Sequence, residues 1–298
     1  MRLPCYLGQA YDAIGDFRQA AKLLRRNIEA ADRKSGTPST VFRIESRAWL
    51  ARTLGALGAF AEGRRHGEEA LRLATLESRG STPIVVHGCR GHLYLAQGDL
   101  AHTIREFDQG LALCRASGNR DWLRGIVAGL GYASALQGRL AEGCALLEEA
   151  LSESLHTGGL LGHANQLAWL SEVCRLAGRG DEAWRHARQA LDLARQQKAR
   201  GNEARALHQL GVVLTHADPP DAAQTKVHYQ QALALAEELS MRPLQAHCHR
   251  GLGTLYAATG QREQACTALS TAIALYRAMD MTFWLPQTEA VLAQVEGR

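Results

Sequence analysis

Lysine is nearly missing from this chain: four lysines stand against 30 arginines in 298 residues. None of the four follows a glycine, so the chain has no G-x-x-x-x-G-K-[ST] phosphate loop and no nucleoside-triphosphatase motif of that kind. No apolar run approaches the length of about 18 residues that marks a membrane-spanning helix, and the opening segment lacks the apolar core of a signal peptide. Both absences point to the cytoplasm, without membrane contact. The seven cysteines, at 5, 89, 114, 144, 174, 248 and 266, include no C-x-x-C pair. They read as reduced thiols buried as small apolar residues, and neither a metal nor a cofactor is expected. His247-Cys248-His249 does not change this, because three consecutive helical side chains fan out by about 100° each and cannot converge on one ion. One surface and two half-buried residues are expected there. A net charge of +4 is too mild for the basic stripe of a nucleic-acid binder. No G-x-S-x-G or comparable signature supports a hydrolase.

What the chain has is a ruler. Gly58, Gly98, Gly138 and Gly178 recur every forty places without drift, each between two short apolar helical patterns. With the glycine as position 15 of a unit, position 7 is apolar at Leu7, Leu50, Leu130, Leu170, Leu210 and Leu252, with Arg90 as the exception. Position 8 is small throughout: Gly8, Ala51, Gly91, Gly131, Ser171, Gly211 and Gly253. Position 11 is often large, as at Tyr11, Leu54, Tyr94, Leu214 and Tyr256. Position 27 is small and followed by an apolar residue, as at Ala70, Gly110, Ala150, Ala190, Ala232 and Ala272. The small residue lets helix A approach helix B, the large one fills between them, and the glycine takes the left-handed backbone that ends helix A. Gly251-Leu252-Gly253 is read in the same way, as helix packing and not as a dinucleotide turn.

This pattern is that of the tetratricopeptide repeat. It predicts an all-α solenoid, a right-handed superhelix of seven helical hairpins starting near 1, 44, 84, 124, 164, 204 and 246 and spanning 1–281. The stripe Trp284, Thr288, Val291, Leu292 and Val295 predicts a capping helix within 282–298. No corresponding cap precedes the first unit, which suggests that an upstream segment covers that face. Asp218-Pro219-Pro220 replaces the glycine in the sixth unit and predicts a stiff, differently angled corner. Pro38, Pro83 and Pro243 fall at unit junctions, where helices begin.

Helix A of such units lines the concave side, with positions 2, 5, 9 and 12 facing the groove. The candidate partner-binding residues are therefore Arg52, His92, Tyr132, Asn165, Glu172, Arg175, Arg205, His208, His247 and Arg250. Arginine and histidine outnumber carboxylates there, which suits an acidic or extended peptide held by arginine forks. Tyr6, Trp49, Cys89, Gly129, Trp169, Gln209 and Gly251 occupy position 6, so the asparagine clamp of chaperone-binding tetratricopeptide domains is not matched.

The runs Arg200-Gly201-Asn202-Glu203-Ala204, Asp218-Pro219-Pro220-Asp221, HYQQALALAEELSMRPLQAHCHRGLGTLYAATGQREQA and YRAMDMTFWLPQTEA carry a closer likeness, joined by SRAWLA and EGRRHGEEALRLA nearer the start. They resemble the carboxy-terminal repeat region of large bacterial signalling proteins, in which an adenylate/guanylate cyclase domain or a predicted ATPase module precedes a long tetratricopeptide tail. The resemblance implies a non-catalytic protein-interaction and regulatory module, the tail of a nucleotide-dependent signalling protein, with the upstream cyclase or ATPase domain as a packing partner. No residue here matches the catalytic motifs of those domains. The alternative is a sensor that closes its groove around a small molecule or peptide.

Overall fold

The computed structural model describes residues 2–33, 40–77, 80–157, 162–217 and 221–297. All regular structure among them is helical. The chain divides into two units, Met1–Leu160 and Leu161–Arg298. The first holds α1 (Arg2–Ile14), α2 (Phe17–Asp32), α3 (Thr40–Leu57), α4 (Phe60–Glu77), α5 (Thr82–Gln97), α6 (Leu100–Ser117), α7 (Leu123–Leu136) and α8 (Leu140–Thr157). The second holds α9 (His163–Leu176), α10 (Gly180–Gln196), α11 (Arg200–Thr215), α12 (Ala222–Glu238), α13 (Arg242–Ala258), α14 (Arg262–Ala278) and α15 (Leu285–Glu296). Within each unit the odd helices pair with the even helices that follow them and also touch the next odd helix, so they form one layer.

The glycine ruler ends the odd helices. Gly58, Gly98, Gly138 and Gly178 have φ of 77°, 87°, 89° and 75°, and Gly15 and Gly260 match them. The turn is a Schellman closure: Arg139 N–H donates to Ser134 O at 3.0 Å, and Arg179 N–H to Cys174 O at 2.8 Å. Asp16, Asp99 and Asp221 then cap the following helices by accepting from the backbone N–H three residues on. Pro83 and Pro243 sit in the first turns of α5 and α13. Pro38 and the Asp218-Pro219-Pro220 corner lie outside the described residues.

Position 8 is a close contact point, and its glycines leave no room for a side chain. A Cβ on Gly91 would stand 2.4 Å from Phe107, one on Gly211 2.7 Å from Tyr229, and one on Gly253 2.6 Å from Leu269. The residue that fills the space opposite position 8 comes from the even helix, while position 11 packs elsewhere between the helices, as where the Tyr94 ring stacks on His102 of α6. Phe107 and Tyr229 also press against the next odd helix, at Gly129 and Gly251. Each ring is clasped between two glycines. Gly251 and Gly253 are thus both packing positions, in line with the sequence pattern.

The position-27 residues Ala70, Ala150, Ala190, Ala232 and Ala272 are fully buried or nearly so. Ala70 joins Ile44, Ala48, Leu73, Val85, Val86 and Cys89 in a core shared by α3, α4 and α5. Position 7 is buried at Leu50, Leu130, Leu170, Leu210 and Leu252, whereas Leu7 is 41% exposed, because among the described helices α1 packs only on α2 and α3. Arg90, the exception at position 7, is buried too. Its Nη2 donates to Glu106 Oε1 at 2.7 Å, His87 Nδ1 lies 2.8 Å from Oε2 of the same carboxylate, and its guanidinium sits over the Tyr94 ring. Burial pushes the Glu106 pKa up, but hydrogen bonds from His87 and Arg90 outweigh it and hold the carboxyl below its ordinary value.

Three even helices of the second unit end on residues outside the ruler: Lys198, Ser240 and Asp280 take φ of 55°, 58° and 55°. Six cysteines are buried, Cys266 is half-buried, and all seven are free. Cys248 is fully enclosed while its neighbours His247 and His249 are half-buried, so none of the three is the surface residue that the sequence pattern suggests. No helix of the described residues is long and apolar enough to cross a membrane.

Candidate partner-binding face

All ten candidate residues are half-buried and stand on odd helices. Arg52, His92 and Tyr132 lie on α3, α5 and α7 of the first unit. Arg52 is committed internally: its Nε is 3.5 Å from Asp12 Oδ1 and its guanidinium covers the Trp49 ring. Asp12 is itself buried and accepts from Thr53 Oγ1 at 2.8 Å. His92 meets the edge of Phe107. Arg52 and His92 therefore support packing within their unit.

The second unit brings more together. Asn165, Glu172 and Arg175 come from α9, Arg205 and His208 from α11, and His247 and Arg250 from α13. The rings of His208 and His247 lie 6.0 Å apart, and His208 also faces Tyr229. His247 Nδ1 is 2.7 Å from the Tyr276 hydroxyl, and its ring meets Trp284 edge-on at 4.6 Å. Tyr276 and Trp284 stack. Helical position alone singles out the two histidines but not their partners Tyr229, Tyr276 and Trp284, which lie on even helices and in the segment before α15. The spacing of those three residues is that of core or cap positions.

Both imidazoles are held neutral. Burial lowers the His208 pKa to about 3, with the Arg250 charge adding to the effect, and burial likewise takes His247 well below its ordinary value. They present ring faces and lone pairs instead of charge. The positive charge of this face belongs to arginine, and here the candidates divide. Arg205 Nη1 donates to Asn202 Oδ1. Arg250 reaches Gln287 Oε1 at 3.5 Å and has no carboxylate within ion-pair distance among the described residues. Arg175 likewise has none, and its buried Nε has no hydrogen-bond partner among the described residues. Arg175 on α9 and Arg250 on α13 both act electrostatically on the Tyr229 hydroxyl, which contacts Thr215 Oγ1 at 3.2 Å. Two half-buried guanidiniums without a counter-charge among the described residues thus bear on one phenol.

Position 6 is a packing position at four of its seven places, whereas Tyr6 is exposed. Cys89 is fully buried, Gln209 is buried with its amide 3.4 Å from Ser171 Oγ, and Gly129 and Gly251 receive the rings of Phe107 and Tyr229.

A stack of helix hairpins, with small residues at the A–B contact and a left-handed turn closing each A helix, defines a tetratricopeptide-type helical repeat protein. Solved structures agree on the fold. A Rap protein complexed with competence and sporulation factor matches with a TM-score of 0.73 at 12% identity, over 99% of this chain and 85% of that one. The Rap conjugation gene regulator of plasmid pLS20, in complex with the Phr* peptide, gives 0.72 at 15% identity, over 94% and 75%. NprR in complex with its cognate peptide NprX gives 0.69 at 11% identity, over 98% and 84%. No protein-family model and no curated protein matches the sequence.

Proposed function

We propose that this chain is a non-catalytic protein-interaction and regulatory module that takes an acidic peptide segment against α9, α11 and α13. Arg175 and Arg250 pair its carboxylates, while the neutral rings of His208, His247 and Trp284 receive its apolar side chains. The observation that carries this reading is the pair of half-buried arginines that have no counter-charge among the described residues. A guanidinium partly removed from bulk water and left without a carboxylate partner gains from one more than an exposed guanidinium does. That two proteins of this fold were solved in complex with peptides supports the same reading. The wider setting, the repeat tail of a nucleotide-dependent bacterial signalling protein working beside a cyclase or ATPase domain, rests on the resemblance of the 200–290 region together with SRAWLA and EGRRHGEEALRLA nearer the start.

The test is a binding screen of the intact chain against matched acidic, neutral and basic peptides, with Arg175→Glu and Arg250→Glu as variants. Acidic peptides should bind, weaken with added salt, and lose about tenfold or more in affinity for each reversal. Equal binding of neutral peptides, or indifference to both reversals, overturns the proposal. Purified chain should also show no nucleotide turnover. The stacked Tyr276 and Trp284 rings beside His247 favour one alternative, a sensor for a small organic ligand; a compound that raises the melting temperature by several degrees would support it.

A further inference from the structure

Where α9 hands over to α10, three side chains of different chemistry converge. Sγ of Cys174, a carboxylate oxygen of Glu182 and a ring nitrogen of His186 all lie within 4.8 Å of one another. Glu182 and His186 are four residues apart on α10 and so share one of its faces, while Cys174 reaches them from the last turns of α9. The meeting point is built into the repeat. Cys174 holds position 11 and Glu182 position 19, and these two places face each other in earlier hairpins as well: the Tyr94 ring stacks on His102, and Ser134 Oγ donates to Glu142. Only in the α9–α10 hairpin, among the described residues, does this junction gather a thiol, a carboxylate and an imidazole.

We propose that Cys174, Glu182 and His186 form a site for a divalent ion of the zinc class, which pins α9 to α10 and leaves a fourth coordination position to water. The ligand set supports that class: thiolate sulfur selects against magnesium and calcium, and a mixed S, N, O triad suits a borderline-soft ion in tetrahedral geometry. On binding, the Cys174 thiol loses its proton to solvent, so thiolate and carboxylate together balance the two positive charges of the ion. Burial lowers the His186 pKa below its ordinary value, which favours the neutral ring with a lone pair to offer. Its Nδ1 lies 3.3 Å from Gln189 Oε1, an acceptor able to orient the ring as a neighbouring oxygen does for metal-bound imidazoles. Two groups oppose a cation here. Arg179 donates to both oxygens of Glu182, at 2.6 and 2.5 Å, and Arg185 adds its charge nearby. Without metal, Arg179 acts as the resident cation that keeps Glu182 ionised; with metal, it must share the carboxylate or swing to solvent, which its exposed position allows.

The experiment is titration of the metal-stripped full chain with cobalt(II), followed by absorption, with zinc as competitor. One ion per chain should bind with a sulfur-to-cobalt charge-transfer band, displaced by zinc, and affinity should rise with pH as the thiol proton is released. Cys174→Ala should abolish the band, His186→Gln should weaken binding about tenfold or more, Arg179→Gln should strengthen it, and Cys266→Ala should change nothing. If Cys174→Ala does not fold by circular dichroism, Glu182→Gln and His186→Gln carry the test, since both residues are half-buried. Absence of the band in the native chain, or its persistence in Cys174→Ala, overturns the proposal.

Discussion

The ring of Tyr229 on α12 occupies the place where a side chain on Gly251 of α13 would stand, so that a Cβ at residue 251 would come within 2.4 Å of its Cζ. Phe107 and Gly129 repeat the relationship in the first unit, at 2.5 Å. An aromatic residue on an even helix thus sets the distance to the following hairpin, and glycine there is a packing requirement.

Gly251→Ala should destabilise the second unit by about 1–3 kcal/mol, since the added methyl meets a fully enclosed ring that cannot turn aside. Tyr229→Leu in the same chain should recover part of that loss. Denaturant midpoints of the two single variants and the double variant measure the coupling. Simple additivity would contradict the clasp.

Acid should loosen the second unit through His208. Its folded pKa is lowered to about 3, chiefly by burial, against an ordinary value of 6.5. Protonation therefore favours the unfolded chain. The stability held by the neutral ring is fully present above pH 6.5 and declines as pH falls towards 3. His208→Asn should flatten that decline in urea midpoints recorded between neutral and mildly acid pH; parallel curves for variant and parent would count against it.

Glu106→Gln should cost about 3–5 kcal/mol, because it leaves the buried Arg90 charge without its partner. Replacing both Arg90 and Glu106 by leucine, which matches position 7 of the other units, should restore much of the loss, as apolar packing takes over from the ion pair. Calorimetry of the three proteins decides the matter. Glu106 also makes the parent chain acid-sensitive: its folded pKa is depressed, so its contribution is present above the unfolded carboxyl value and is lost as pH falls through the folded one.

Lys198→Gly should stabilise the chain by about 0.5–1 kcal/mol, since lysine at φ 55° carries the left-handed penalty that glycine escapes. Gly178→Ala at φ 75° should act in the opposite direction by a similar amount. Melting temperatures of the two variants test the pair.

The repeat could be read from the residues because a hairpin that must stack forms the same contacts in every period, and identical contacts demand similar residues. Small side chains at position 8 and glycines at position 15 report the two tightest constraints, close helix approach and positive φ, and each tolerates few residues. The left-handed ends at Lys198, Ser240 and Asp280 escaped because backbone strain of that size is tolerated when the surrounding helices hold the turn. Arg90 showed itself only as an exception at position 7. Its partner Glu106 lies on the next helix, and no periodicity ties the two together.

The candidate face divides along the same line. Helical periodicity, a local property of the backbone, is enough to place His208, His247, Arg175 and Arg250 on odd helices. Which arginine already holds a carboxylate and which does not depends on side chains far apart in the chain: Arg52 on α3 is taken by Asp12 on α1, while Arg175 and Arg250 meet none among the described residues. Helices, their pairing and their period were written in the order of residues, because they follow from short-range sterics and the need to bury one stripe. Uncompensated charge, and the convergence of Cys174, Glu182 and His186, emerged only once the helices were packed. Coulomb interactions and metal ligation depend on distance in space and leave no periodic trace along the chain.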